Sequence, residues 1–374
     1  MVQGLLAWAL VISAPICLWD RDTLAVERAR FPTALELITG KFVRHSPEYY
    51  RWRIDDRTAR LESGAADAAL YDDLAVAHSK LGEDARAIEL MQEKERRFPG
   101  LYETAANLGT FHLHAGALEE GLEHVARAVA MNPEAHFGRE VYQELLARYL
   151  LSRRLVDGTV ALPLAPGLRS FSGHDGFWAF VAEARGIDAT SDHDELIAAV
   201  KGVLGMLRFG DHDSPVLLEV LADLLLADPD ADAKLLASRA LLKASYEAEG
   251  AEARAAYRGR AEAALSMQQP DANQERQMTL AELEERFAAE LEQAEAWWTE
   301  VRADELAWIA AGEDVDARFD AKYFEEPALD AESAGRPWLW LAVPLALAAA
   351  LGMAVYSFRL VRRAQPGAGM EPAG

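Results

Sequence analysis

Three histidine–aspartate pairs are the residues of this chain whose type and spacing come closest to a recognisable chemistry. They are His174-Asp175, His193-Asp194 and His212-Asp213, at intervals of 19 residues. Imidazole nitrogens and carboxylate oxygens both bind divalent metals, which would suit a metal-binding protein or a hydrolase. All three pairs lie where the pattern predicts loop ends or helix starts, and aspartate is favoured there as a cap and by the helix dipole. We interpret them as capping residues and keep the metal site as the alternative.

Two further histidines, His78 and His112, are separated by 34 residues, and His114 follows two residues later. A metal shared between them is one interpretation, and hydrogen-bonded rings packed between helices are the favoured one. No glycine-rich phosphate loop, nucleophile elbow or zinc-protease helix occurs. The sequence therefore predicts no catalytic residue, no metal and no cofactor, and we expect a protein that is not an enzyme.

The elements that position these histidines come from a segment, 71–133, that contains one pattern twice. Its first copy has Tyr71, Leu74, Ala75, His78, Gly82, Ala87, Met91 and Pro99, and its second has Ala105, Leu108, Gly109, His112, Gly116, Gly121, Val125 and Pro133. The apolar residues of each copy recur at helical spacing. Gly82 and Gly116 would end the first helix of each copy. Gly109 facing Gly121 would let two helices approach closely.

A 34-residue period with small residues at the helix crossings and a closing proline resembles the tetratricopeptide repeat, here of the bacterial exported and membrane-anchored type. The resemblance implies a solenoid of helix pairs whose first helices form an inner face that binds peptides or partner helices. The inward residues would be Asp72, Asp73, Val76, Ser79 and Lys80 in the first copy and Glu103, Ala106, Asn107, Thr110, Leu113 and His114 in the second. Such a mildly acidic groove suits a basic or mixed partner segment.

Composition excludes some classes of function. The chain has 61 acidic and 38 basic residues, which give a formal net charge of −23. A protein that binds nucleic acid must neutralise phosphates, so we expect no nucleic-acid partner. The single cysteine, Cys17, excludes an intramolecular disulfide and a cysteine-based zinc site.

The amino-terminal segment 1–17 is short and apolar, as in a secretory signal. It has no basic residue before the apolar run, and Ile16 before Cys17 is large for a cleavage site. The alternatives are therefore an export signal, favoured here, and a buried helix or uncleaved anchor.

The carboxyl-terminal segment 337–358 is predicted to be a transmembrane helix. From residue 338 to residue 358 it has no charged side chain, and this length of 21 residues crosses a bilayer core of about 30 Å. Tryptophans stand at one border, and Arg359, Arg362 and Arg363 follow the other. The positive-inside rule places the short tail 359–374 in the cytoplasm and the bulk of the chain on the periplasmic or extracytoplasmic side. The alternative is a buried helix of a soluble protein.

The remaining boundaries follow from proline, glycine and capping residues. Ser46-Pro47, Asp192 and Ser214-Pro215 are expected to start helices. Residues 247–336 are rich in alanine and glutamate and are predicted to form a helical stalk, as one hairpin near the membrane or, alternatively, as a coiled-coil dimer. The predicted divisions are 1–17, a signal-like segment; 18–155, the repeat domain; 156–176, a loop rich in proline and glycine; 177–246, a second, degenerate repeat-like region; 247–336, the stalk; 337–358, the membrane helix; and 359–374, the tail.

The sequence as a whole predicts an all-α protein, a helical-repeat solenoid followed by further helices and one membrane helix. We expect a single-pass, membrane-anchored scaffold that mediates protein–protein interaction outside the cytoplasm. The alternative is a metal-binding protein or hydrolase that uses the three histidine–aspartate pairs.

Overall fold

The computed structural model describes residues 31–65, 67–133, 135–165, 176–267 and 277–324. Across these ranges the regular structure is helical, and the only extended pairing is one isolated bridge between Arg154 and Val160. The all-α prediction is confirmed for this part of the chain. The helices, numbered in chain order, are α1 Ala34–Thr39, α2 Pro47–Glu62, α3 Ala68–Lys80, α4 Asp84–Arg97, α5 Tyr102–His114, α6 Leu118–Met131, α7 Arg139–Ser152, α8 Phe177–Arg185, α9 His193–Phe209, α10 Pro215–Ala227, α11 Ala231–Glu247, α12 Ala251–Ser266, α13 Leu280–Ala311 and α14 Val315–Phe319.

Several helices begin where the capping residues predict. Ser46 caps α2 and Ser214 caps α10, each with its side-chain oxygen on a backbone N–H and with proline as the first helical residue. Asp192 caps α9 by accepting a hydrogen bond from the backbone N–H of Glu195, and the first helical residue there is His193. A capping residue satisfies one of the amide donors that the first turn leaves free. These three boundaries are therefore fixed by local chemistry.

The duplicated segment forms two helix pairs, α3 with α4 and α5 with α6. Gly82 and Gly116 follow the first helix of each pair, both with φ of +78°, a conformation that favours glycine. At the crossing of α5 and α6, a Cβ atom on Gly109 would lie 2.6 Å from Val125 Cγ2 and 3.2 Å from the carbonyl oxygen of Gly121. The predicted close crossing at the two glycines is confirmed.

Neighbouring helices along the chain are also neighbours in space. Helix α2 packs on α3, α4 on α5, α6 on α7, and α9 packs on both α7 and α10, which continues to α11 and α12. The described helices thus form a succession of adjacent pairs, as expected when no pair can bury its apolar face alone. All of them belong to one compact unit.

Helix α1 does not extend this succession but lies against α9, α11 and α13. Its Leu37 and Ile38 are fully buried and, with Phe42 just beyond it, belong to the largest apolar core. That core also contains the buried residues of α7 and of α9 to α12. Helix α1 is therefore part of the core that the later helices share.

Helix α13 has 32 residues and, at 1.5 Å per residue, is about 48 Å long. It packs against α11 and α12 and also against α1 and α2. Leu283, Phe287 and Val301 are buried along it. This part of the predicted stalk 247–336 is thus packed against other helices of the described chain.

No helix among the described residues is both long and apolar enough to cross a membrane. The predicted signal 1–17, membrane helix 337–358 and tail 359–374 lie outside the described residues, as do residues 166–175 of the predicted loop.

Candidate functional site

The residues that the repeat resemblance placed on an open inner face are mostly inside the structure. Of the eleven, Lys80 and Glu103 are half-buried. The other nine are buried: Asp72, Asp73, Val76, Ser79, Ala106, Asn107, Thr110, Leu113 and His114. These nine side chains are enclosed within the chain itself, and their contacts show what encloses them.

Asp72 lies at the centre of one buried polar group. Its carboxylate accepts hydrogen bonds of 2.6 and 2.7 Å from the ammonium of Lys94 on α4 and one of 3.1 Å from the amide of Asn107 on α5. Burial raises the pKa of Asp72 to about 7, although Lys94 and Asn107 act in the opposite direction. The group joins one repeat to the next inside the protein.

Two more polar contacts join successive units in a similar way. The hydroxyl of Ser79 lies 3.0 Å from Nδ1 of His114, which is 35 residues later. Gln143 on α7 donates a hydrogen bond of 3.0 Å to the hydroxyl of Thr110, 33 residues earlier. Polar residues at nearly equivalent positions of successive units therefore bind each other, which closes the face that we expected to be open.

Leu113 has a purely apolar role at the crossing of α5 and α6. It is fully buried, and a Cβ atom on Gly121 would lie 2.6 Å from its Cδ2 atom. Its side chain fills the space that the small residue on α6 leaves. It belongs to the core between the helices.

Lys80 meets a different part of the chain. Its ammonium donates hydrogen bonds of 2.8 and 2.6 Å to the carbonyl oxygens of Phe209 and Gly210, at the end of α9. Cations are favoured at helix carboxyl ends, where carbonyl groups lack partners within the helix. The first repeat is thereby joined to the turn that contains His212 and Asp213.

The histidine–aspartate pairs do not form one site. His193 is the first residue of α9, whereas His212 lies three residues beyond its last residue, Phe209. The two ends of α9 are about 24 Å apart at 1.5 Å per residue, so these pairs cannot bind one ion. His174-Asp175 lies outside the described residues. Both described pairs lie at a helix start or in a loop, as predicted. Their interpretation as capping residues is wrong, because the N-caps of the two adjoining helices are Asp192 and Ser214.

One cluster in this turn has the composition of a metal site. Ligand atoms of Asp211, His212 and Asp213 lie within 4.8 Å of one another, the one such group among the described residues. Burial lowers the pKa of His212 to about 3, so the ring is neutral at pH 7. However, the ammonium of Lys243 forms an ion pair with Asp213. A lysine of the chain therefore already neutralises one of the three candidate ligands.

The repeat histidines also have separate partners. His78 Nδ1 lies 2.6 Å from Glu83, and His112 stacks on His124 with ring centroids 5.5 Å apart. Burial lowers the pKa of both His112 and His124. The favoured interpretation, that these rings pack and bond within the chain, agrees with this arrangement.

A cleft of about 730 Å³ lies between the first repeat and the residues that follow α13. We name it the acidic cleft. Its lining includes Trp52, two arginines and seven carboxylates: Arg57, Arg60, Asp56, Asp67, Asp73, Glu313, Asp314, Asp316 and Asp320. One wall comes from α2 and α3 and the other from residues 312–320. The carboxylates outnumber the arginines, so the lining carries a net negative charge.

Arg57 shows how this cleft holds a guanidinium group. Its Nε donates a hydrogen bond of 2.8 Å to Asp73, and its other nitrogens form ion pairs with Asp316 and Asp56. Burial alone would lower the pKa of Arg57, but Asp316 and Asp73 outweigh burial and raise this pKa above its ordinary value. The indole ring of Trp52 lies 5.9 Å from the guanidinium carbon.

Two carboxylates of the cleft are helix caps. Asp67 accepts a hydrogen bond of 3.0 Å from the backbone of Ala69 at the start of α3. Asp314 accepts one of 3.1 Å from the backbone of Ala317 at the start of α14. Both residues are exposed. Their charges can therefore be removed with asparagine, which caps helices as well as aspartate does.

Sequence reasoning identified only Asp73 among the residues of the cleft. The acidic run around Glu313 and Asp316 was visible, but a chain with 61 acidic residues contains many such runs. The approach of this run to α2 joins residues about 250 positions apart, which no local pattern encodes. No known protein-family model matches this chain, and no curated protein matches its sequence.

Proposed function

We propose that this protein is a membrane-anchored, tetratricopeptide-like scaffold, without catalytic activity, that binds a basic segment of a partner protein outside the cytoplasm. The observation that carries the proposal is the acidic cleft, with seven carboxylates against two arginines in a recess of about 730 Å³. The succession of helix pairs supports it, because repeat folds of this kind provide extended surfaces for partners.

The chemistry of the cleft favours arginine or lysine side chains as the ligand. Oppositely charged surfaces speed encounter and reject partners of the wrong sign. Arg57 already lies between two carboxylates and near an indole ring, as a bound arginine of the partner would. An aromatic face adds a cation–π contribution to such a site.

A defined peptide tests the charge requirement. Acetylated tetra-arginine amide should bind the full-length chain, and Asp67→Asn with Asp314→Asn should weaken binding by about two- to thirtyfold, because exposed ion pairs contribute roughly 0.2–1 kcal/mol each. Both substitutions keep the helix caps. The matched control is Asp192→Asn with Asp230→Asn, which changes the same charge at two caps outside the cleft.

The outcome that contradicts the proposal is equal loss of affinity in the two double variants, or no binding of the peptide at low salt. Equal loss would mean that net charge, and not the cleft, attracts the peptide. A photo-reactive residue at exposed Ala69, on the lining of the cleft, should then trap the natural partner in membranes through a basic segment.

The membrane part of the proposal is supported by the uncharged residues 338–358 and the arginines that follow them. Protease added from outside the cytoplasmic membrane should digest the body and leave a small fragment that contains the 359–374 tail. Protection of the body and loss of the tail would show the opposite orientation.

A further inference from the structure

Helix α13 is held in two different ways along its length. Near its start, Leu283 and Phe287 are fully buried in the largest apolar core. Glu290 accepts hydrogen bonds of 2.7 and 2.8 Å from the guanidinium of Arg239 on α11. This first half is therefore part of the main body of the fold.

The second half, together with α14 and the following turn, is held mainly to one strip of the chain, from residue 45 to residue 57. We name residues 302–324 the strap. Arg302 forms a hydrogen bond of 2.6 Å with Glu48. Fully buried Glu305 accepts one of 2.9 Å from the backbone of Ser46, and its other oxygen lies 2.6 Å from Nδ1 of His45.

Asp316 makes the contact that reaches the cleft. It accepts a hydrogen bond of 2.5 Å from the hydroxyl of Tyr49 and forms an ion pair with Arg57. Arg57 in turn binds Asp73 on α3. One guanidinium thus bridges a carboxylate of the strap and a carboxylate of the first repeat, at the wall of the acidic cleft.

We propose that the strap is a closing element whose position is coupled to occupancy of the acidic cleft. The inference rests on the proposed function, because it requires a cationic ligand in that cleft. One wall of the cleft belongs to the first repeat and the other to the strap, so a basic side chain bound there contacts both. A ligand that needs both walls binds the closed form and stabilises it by mass action.

The expected size of the coupling follows from the same relation. If the peptide binds only the closed form, the population of open strap falls by a factor of one plus the ratio of ligand concentration to dissociation constant. At ten times the dissociation constant this factor is about tenfold. The first half of α13, which is held by the apolar core, should not respond.

Hydrogen exchange on the full-length chain measures this directly. With acetylated tetra-arginine amide at ten times its dissociation constant, the backbone amides of 313–324 should exchange about tenfold more slowly. The amides of α6 that exchange by local opening serve as the internal control and should not change. Tetra-glutamate peptide is the charge control and should protect neither region.

A pair of variants on α13 separates strap closure from direct contact with the ligand. Glu305 does not line the cleft, so Glu305→Gln should reduce peptide affinity only by loosening the strap, and we expect a loss of about threefold or more. Glu290→Gln changes the same group on the first half of the helix and should leave affinity unchanged. Both variants keep a hydrogen-bonding side chain of the same size.

The two proposals fail in different ways. If the peptide binds with the charge dependence described above, but neither exchange in the strap nor the Glu305→Gln affinity changes, the cleft is rigid and only the coupling is overturned. If the peptide does not bind, the proposed function is overturned and the coupling with it. Strap protection together with reduced affinity in Glu305→Gln alone supports the coupling.

Discussion

Asn107 donates a hydrogen bond of 3.1 Å to Asp72, which lies 35 positions earlier, next to the equivalent position of the preceding repeat. Both side chains are buried, and Lys94 completes the group with its ammonium 1% exposed. Neither charged residue can turn to water if its partner is lost. The join between the two repeats therefore depends on a complete set of polar partners.

The first prediction concerns this group. Asp72→Asn and Lys94→Met should each lower the free energy of unfolding by about 3–5 kcal/mol, because each leaves a buried partner uncompensated. The double variant should recover most of the loss, because a neutral pair has no buried charge. Urea unfolding of the three variants measures the coupling.

The matched control for these three variants is an exposed ion pair on α4, the helix that contains Lys94. It joins Arg86 to Glu89, whose charged atoms are 2.8 Å apart. Arg86→Met and Glu89→Gln should each change the free energy of unfolding by less than about 1 kcal/mol. Additive losses for Asp72→Asn and Lys94→Met would contradict a coupled buried pair.

The second prediction concerns the crossing of α5 and α6. Gly109→Ala should lower the free energy of unfolding by about 1–3 kcal/mol, because its Cβ would lie 2.6 Å from Val125 Cγ2 and 2.9 Å from the Val125 backbone nitrogen. Gly259 on α12 is also helical but has no atom within 4 Å of a Cβ. Gly259→Ala should stabilise by roughly 0.5–1 kcal/mol, from helix propensity alone. Thermal and urea unfolding measure both changes. If both variants were stabilised, or both destabilised, the close crossing at Gly109 would be refuted.

The sequence was sufficient for the features that local chemistry decides. The caps at Ser46, Asp192 and Ser214 and the small residues at Gly109 and Gly121 act within one helix or one helix pair, so periodicity and residue type reveal them. The all-α class follows from the same information.

The sequence was insufficient where distant parts of the chain meet. Asn107 and Ser79 looked like groove residues because they are polar at inward positions, whereas each binds a polar residue of the neighbouring unit. The acidic cleft requires Asp73 and Asp316 to approach across more than 240 residues. Such long-range placement depends on how α13 packs against distant helices, which its local residue pattern does not encode.

The third prediction concerns the pH dependence of stability at Asp223. This carboxyl group on α10 is buried and accepts a hydrogen bond of 2.7 Å from the backbone of Trp178. Burial raises its pKa from 3.8 to about 6, against the influence of the Trp178 amide and of Arg260. Between about pH 4 and pH 6 the folded protein therefore holds more protons at this site than the unfolded chain does.

The contribution of Asp223 to stability is consequently greatest below about pH 4 and falls as the pH rises through 6. Asp223→Asn keeps an oxygen acceptor but carries no charge at any pH. The free energy of unfolding of this variant, taken relative to that of the wild type, should therefore rise by on the order of 2–3 kcal/mol between pH 4 and pH 7. Urea unfolding across this range measures the difference. Asp188, whose pKa is lowered by hydrogen bonds from Thr190, is the control, and Asp188→Asn should shift in the opposite direction. Parallel profiles for wild type and Asp223→Asn would contradict the burial effect.

The last prediction decides between a turn held by the Lys243–Asp213 ion pair and a metal site at His212. The ammonium of Lys243 is paired with Asp213, and Lys80 binds the carbonyl oxygens at the end of α9. A divalent ion would have to displace Lys243 and remain close to a second ammonium, which electrostatic repulsion opposes. We therefore expect Zn²⁺ to leave the thermal unfolding of the wild type unchanged.

Lys243→Met removes the competing charge with a side chain of similar length, and Zn²⁺ should stabilise this variant, by about 2.7 kcal/mol at a hundred times its dissociation constant. Each protein is compared with and without the ion, so any loss of stability from the substitution itself cancels. Stabilisation of the wild type by Zn²⁺, abolished by His212→Asn, would instead restore the metal-binding interpretation of this turn.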